Sequence, residues 1–267
     1  MRRLFLAAAL WIAPGIALAE IASVETCRTA IAADPAAARE DAALWTRSGG
    51  GIPARLCEAA ALEAQGATAS AARMLTELGE DTTRAMQADL RATILADAAR
   101  LWLEIGQPAI AAETLARADT LAAPDPERLL LTARTAAALD DWSAARTALE
   151  TLLAVDPADA YARALHAAAL LNTDAPVEAL AEAETALAAS PDLPEALFEA
   201  GAANAELGAP DLAAAYWRTL IEKHPEHSLA ELARRNLTNA EAPPAALTPP
   251  LPPTALPAGP RPMPRPR

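Results

Sequence analysis

The chain has 267 residues, with 35 acidic against 22 basic side chains and a formal net charge of −13. Five of the basic residues (Arg2, Arg3, Arg261, Arg265 and Arg267) lie at the ends, so residues 20–242 hold 17 basic and 35 acidic groups, a net −18. A body this acidic disfavours phosphate backbones. With only Phe5, Phe198, Tyr161 and Tyr216 beside the tryptophans it also offers little base-stacking surface, so nucleic acid is not the expected partner.

In chain order, Arg2 and Arg3 precede an apolar run over 4–12, then Pro14-Gly15 and Ala17-Leu18-Ala19. A positive start, a short apolar segment and an A-x-A site predict a signal peptide over 1–19, cleaved after Ala19. The run is shorter than the roughly 20 residues of a spanning helix. The expectation is a periplasmic mature chain without a transmembrane helix. The alternative, an uncleaved anchor, is disfavoured by the clean cleavage site.

Cys27 and Cys57 fall in helical patterns over 21–32 and 54–65. Two cysteines in an exported protein point to a disulfide. The loop of about 31 residues would be worth roughly 3–4 kcal/mol in chain entropy, stapling the first helix to the start of the repeats. A redox pair would call for C-x-x-C, and zinc for nearby histidines; neither is present. Gly49-Gly50-Gly51 reads as a flexible linker and lacks the Gly-Lys-Ser/Thr ending of a phosphate loop.

Downstream the chain repeats. Pro157, Pro191 and Pro225 are 34 residues apart, each closing an Ala-rich helical stretch. The same step joins Ala99, Ala133, Ala167 and Gly201, then Ala111, Ala145, Ala179 and Ala213. Gly106, Asp140, Asp174 and Gly208 occupy the turn between the two series, and Leu115, Leu149, Ala183 and Trp217 follow the second. The best-formed unit runs from Leu139-Asp140-Asp141-Trp142 to Val155-Asp156-Pro157.

This pattern resembles the tetratricopeptide repeat, a 34-residue helix–turn–helix unit. The resemblance covers four units over 92–225, although the family's Trp and Tyr positions in the first helix are mostly Leu, Ala or Asn here. The third unit, with Ala183 and Asp174-Ala175-Pro176, is the weakest. Gly66, between Leu62 and Leu75, suggests a degenerate earlier unit within 20–91, out of register because Gly66 and Gly106 are 40 apart. The resemblance implies an all-α fold, a right-handed superhelical solenoid of antiparallel helix pairs. Residues 226–242 would form a capping helix, with Leu229, Leu232 and Leu237 on one side.

Residues 243–267 include 11 prolines, no acid and a basic finish, which predicts an extended or disordered tail. It reads as a solvated tail, or as a basic arm touching the anionic envelope or the acidic body itself.

No catalytic, metal or cofactor set emerges. His166 stands alone, His224 and His227 flank Pro225 at a helix boundary, and there is no G-x-S-x-G elbow. An enzyme is therefore not expected. What the resemblance implies instead is a concave wall built by the first helix of each unit. Carried over by position, Arg100, Arg134, Tyr161, Asn172, Glu195, Phe198 and Glu206 fall on that wall. Two stacked arginines would hold a carboxylate, and Tyr161 and Phe198 an apolar side chain. The expected function is a periplasmic adaptor binding an envelope protein or peptide segment. A glycan- or small-ligand-binding accessory protein and a holdase chaperone are the alternatives.

Overall fold

The structure, a computed structural model, describes residues 21–83 and 85–241. The expected signal peptide, its cleavage point and the Pro-rich tail lie outside the described residues. The described residues form α-helices and no strand, in two compact units that divide between Ala67 and Thr68.

The first unit holds α1 (Val24–Ala33), α2 (Pro35–Arg47) and α3 (Gly51–Ala64). Ser23 and Thr26 form a capping box at the start of α1, and Asp34 accepts from the amides of Ala36 and Ala37 to open α2. Ile21, Cys27, Ala38, Ala42, Cys57 and Ala61 make its core, with Trp45 leaning on it. Cys27 and Cys57 are joined by a disulfide whose Cα atoms are 6.0 Å apart. The bond ties α1 to α3 within this unit. The block read as 20–91 is therefore divided, with the degenerate repeat around Gly66 straddling the boundary.

The glycine run is not a linker. Gly49 and Gly51 adopt φ of 97° and 61°, and Gly51 already belongs to α3. A Cβ on Gly50 would sit 2.5 Å from the Trp45 ring, so the three glycines make a tight turn closed over an indole.

The second unit begins with α4 (Thr68–Glu80) and continues as four helix pairs: α5 (Ala88–Glu104) with α6 (Pro108–Leu121), α7 (Pro126–Ala138) with α8 (Trp142–Val155), α9 (Ala160–Leu171) with α10 (Pro176–Ala189), and α11 (Pro194–Glu206) with α12 (Pro210–Lys223). It ends in α13 (Ser228–Glu241). Alanine is the strongest helix former, and each boundary is marked chemically. Proline stands at the first position of α6, α7, α10, α11 and α12, while Asp125, Asp141 and Asp159 cap α7, α8 and α9 through their carboxylates. The turn series Gly106, Asp140, Asp174 and Gly208 is left-handed throughout, with φ of 70°, 58°, 59° and 77°. Asp is one of the few residues besides Gly that tolerate this region.

Both small-residue series are buried, which lets each hairpin close. Their partners vary in compensation. Ala99 and Ala133 belong to units whose second helix presents Leu115 and Leu149, whereas Gly201 faces Trp217, where a Cβ would lie 2.3 Å from the indole nitrogen. The weak third unit, with Ala167 and Ala183, forms its pair nonetheless; Leu170, Leu171 and the flanking Leu187 and Tyr216 supply its bulk.

In α13 the inward residues are Ala230 and Ala233, both fully buried, with Leu229 and Leu237 packed at the edge of the Trp217 cluster. The leucine face expected for the cap is thus an alanine face with leucine margins, because close approach to the preceding helices needs small side chains. Arg235, exposed, stands where the earlier units have Ala or Gly, and no second helix closes on it among the described residues.

Candidate functional site

The first helices of the repeats line one wall, in which α5 touches α7, α9 touches α11 and α11 touches α13, whereas α7 and α9 are linked through α8, which touches both. At one end a cleft of about 180 Å³ opens between α5 and α7, and both Arg100 and Arg134 line it together with Asp97, Asp125 and Glu127. Arg100 is held by Glu104 one turn along its own helix, at 2.7 Å. Arg128, at the cleft floor, is buried and committed to Asp119 at 2.9 Å and to the Ala122 carbonyl at 2.8 Å. Burial raises the Asp119 carboxyl, against the pull of that guanidinium. This end of the wall therefore carries both signs of charge.

The middle joins three repeats. The Tyr161 hydroxyl on α9 is raised by partial burial, with Arg134 on α7 pulling it down and Glu195 on α11 pushing it up. Glu195 in turn lies 3.7 Å from the His227 ring, ahead of α13. Charges from consecutive units thus act on one phenol. Phe198 is partly buried against Trp217 and Leu197, so its ring serves the core as well as the wall, and its carbonyl accepts from the Trp217 indole at 3.2 Å. Asn172 donates to the Ala168 carbonyl at 2.8 Å and finishes α9 at the exposed turn end.

Toward the other end, α11 adds a row of carboxylates. Glu195, Glu199 and Glu206 follow one face of α11, spaced by four and seven residues. Glu199 was not among the residues singled out from sequence, yet it is the most perturbed group of the wall. Burial raises its carboxyl to about 8, and the charges acting on it are those of Glu195 and Glu206, both negative. Glu206 is itself raised, by burial first and then by Asp174. A signal for Glu199 existed in the register: one and two repeats earlier the same position holds Leu165 and Leu131, although the first repeat has Asp97 there. A carboxyl where the two preceding repeats place leucine is desolvated by its surroundings.

Glu199 yields a pH prediction. Its folded value lies above the unfolded value, so it contributes no penalty below about pH 4.5 and an increasing one up to about pH 8. Glu199→Gln should therefore stabilise the protein on the order of 1–3 kcal/mol near pH 8 and much less at pH 4.5. Thermal melts of both proteins at the two pH values check this; an equal difference at both would show that Glu199 ionises freely.

The remaining titratable candidates lie elsewhere. His166 is buried on α9, with its ring nitrogens 3.8 Å from Glu150 of α8 and from Glu182 of α10, and burial lowers its basicity. The His224 ring reaches the Asp192 carbonyl at 2.6 Å. Among the described residues no group of three His, Cys, Asp or Glu is placed to hold a metal, and no helix is long and apolar enough to cross a membrane.

Residues 195–227 match a family model described as tetratricopeptide repeat. Solved structures similar in fold include three of different proteins. YrrB, a TPR protein with an unusual peptide-binding site, has 19% identity and a TM-score of 0.55, covering 69% of this chain and 91% of its own. MamA from Desulfovibrio magneticus RS-1 has 16% identity and a TM-score of 0.55, over 64% of this chain and 93% of its own. The Cut9–Hcn1 hetero-tetramer of the APC/C has 15% identity and a TM-score of 0.63, over 83% of this chain and 43% of its own. No curated protein matches the chain.

Proposed function

We propose that this chain, which folds as a tetratricopeptide-repeat solenoid, is a non-enzymatic adaptor of the periplasm that holds a segment of an envelope protein along the wall of first helices. A preformed wall of this kind binds without chemistry: apolar contacts supply affinity, and charges set orientation and register. The observation that carries the reading is the setting of Tyr161, on which a cation of the preceding repeat, Arg134, and a carboxylate of the following one, Glu195, both act. An extended peptide crossing it would meet a different chemistry at each repeat, which is how register is fixed. The likeness to YrrB, whose own description includes a peptide-binding site, adds support. Export is supported by the Arg2-Arg3 start, the apolar run and Ala17-Leu18-Ala19, and by the Cys27–Cys57 bond, which persists in an oxidising compartment.

The test is capture from an envelope extract with the mature chain as bait, against the double variant Arg100→Glu, Arg134→Glu. One or two specific proteins should be recovered, and the charge reversal should weaken their capture about tenfold, as the loss of a well-placed charge pair does. Unchanged capture would remove the arginine end of the wall from the site. Recovery of many denatured chains would identify a holdase instead, and recovery of cell-wall fragments alone, surviving high salt, a glycan-binding accessory protein.

A further inference from the structure

The α11 face of the wall gathers carboxylates. Glu195, Glu199 and Glu206 share one face of α11 with Ala202 between them, and the charges that act on Glu199 are negative. Among the described residues the imidazole of His227 lies 3.7 Å from Glu195, and an imidazole is charged only when protonated. Partly buried carboxyls of one sign are held at an electrostatic cost that a guanidinium would relieve.

The same chain carries a segment with the opposite character. Residues 243–267 hold 11 prolines and no acid, and their only charged side chains are Arg261, Arg265 and Arg267, at the far end. The spacings agree. From Glu195 to Glu206 along α11 is about 16 Å at 1.5 Å per residue. From Arg261 to Arg267 a polyproline II run measures about 19 Å at 3.1 Å per residue. The reach is sufficient as well: α13 touches α11, and about 20 residues separate its end from Arg261, up to roughly 60 Å of chain. Leu251, Leu256 and Met263 add apolar side chains to a segment that would run past Phe198 and Tyr161.

We propose that residues 243–267 dock on the Glu195–Glu199–Glu206 face of α11 through Arg261, Arg265 and Arg267, occupying the wall until a partner displaces them. This rests on the wall being the binding surface. Proline preorganises the segment, so little ordering is lost on docking, and a tethered arm of this length competes at high effective concentration. Partner binding then requires displacement, which selects segments that offer cations of their own or stronger apolar anchors.

The experiment places a photo-crosslinking phenylalanine analogue at Ala202 in the full chain, irradiates the purified protein at low concentration and maps the cross-links by mass spectrometry. Intramolecular cross-links to 243–267 are expected, falling at least fivefold in the Arg261→Gln, Arg265→Gln, Arg267→Gln variant. They should fall similarly in Glu195→Gln, Glu206→Gln, whose exposed or half-exposed positions leave the fold intact. In cells the tail variant should raise partner capture at Ala202 several-fold. Absence of tail cross-links, indifference to both variants, or cross-links only between two copies would overturn the proposal. If Ala202 still captures an envelope protein in that case, the adaptor reading stands and only the tail assignment fails; if it captures nothing, both fail.

Discussion

Replacing Trp217 with alanine is expected to cost about 3–5 kcal/mol, the usual range for removing a buried indole. The ring is 3% exposed and lies against Gly201 of the neighbouring helix, and its nitrogen donates to the Phe198 carbonyl. In a solenoid each unit is stabilised chiefly by its neighbours, so the damage should concentrate in α11, α12 and α13. A fall in melting temperature of roughly 10 °C and early loss of amide protection in those helices are the expected readings. The pairing itself is testable by a cycle. Gly201→Ala alone should destabilise by about 1–3 kcal/mol, since its Cβ meets the indole. Combined with Trp217→Leu it should cost far less than the sum of the two, because Ala with Leu is the combination of the first two units. Additive effects would mean that the two positions are not coupled.

Opening the Cys27–Cys57 bond is the second large effect. The unit that contains it has three short helices and one small core, half of it alanine, too little apolar surface to hold such a segment comfortably. Closing a loop of about 31 residues is worth roughly 3–4 kcal/mol. The Cys27→Ser, Cys57→Ser protein should therefore lose the order of α1–α3 several degrees earlier than the wild type, followed through the environment of Trp45. An unchanged transition, with and without reductant in the wild type, would mean that the bond carries none of the stability of this unit.

The solenoid was legible because its constraints recur. A left-handed turn every 34 residues demands Gly or Asp, a close helix crossing demands Ala or Gly, and both demands survive even where Trp and Tyr positions have drifted. Constraints that occur once were harder to see. Nothing local distinguishes the tight turn at Gly49-Gly50-Gly51 from a linker until Trp45 is found above Gly50. The boundary between Ala67 and Thr68 has no composition change to mark it. For the wall, repeat register placed Arg134, Tyr161 and Glu195 on the first helices of successive repeats, where the charges of Arg134 and Glu195 both act on Tyr161. It passed over Glu199, whose significance comes from desolvation rather than from residue type. Phe198 shows the opposite error of emphasis, since an aromatic at a wall position can be shared with the core beneath it.

The central claim is that the wall of first helices is the working surface. Its most direct test is a photo-crosslinker carried in turn at Tyr161 and Glu195 on the wall, and at the exposed Thr147 of α8 and Thr185 of α10 on the second helices. With the protein expressed in its native cells, discrete adducts to one or two envelope proteins should arise from Tyr161 and Glu195 and not from Thr147 or Thr185. Adducts of equal yield from all four positions, or from the second helices alone, would contradict the account.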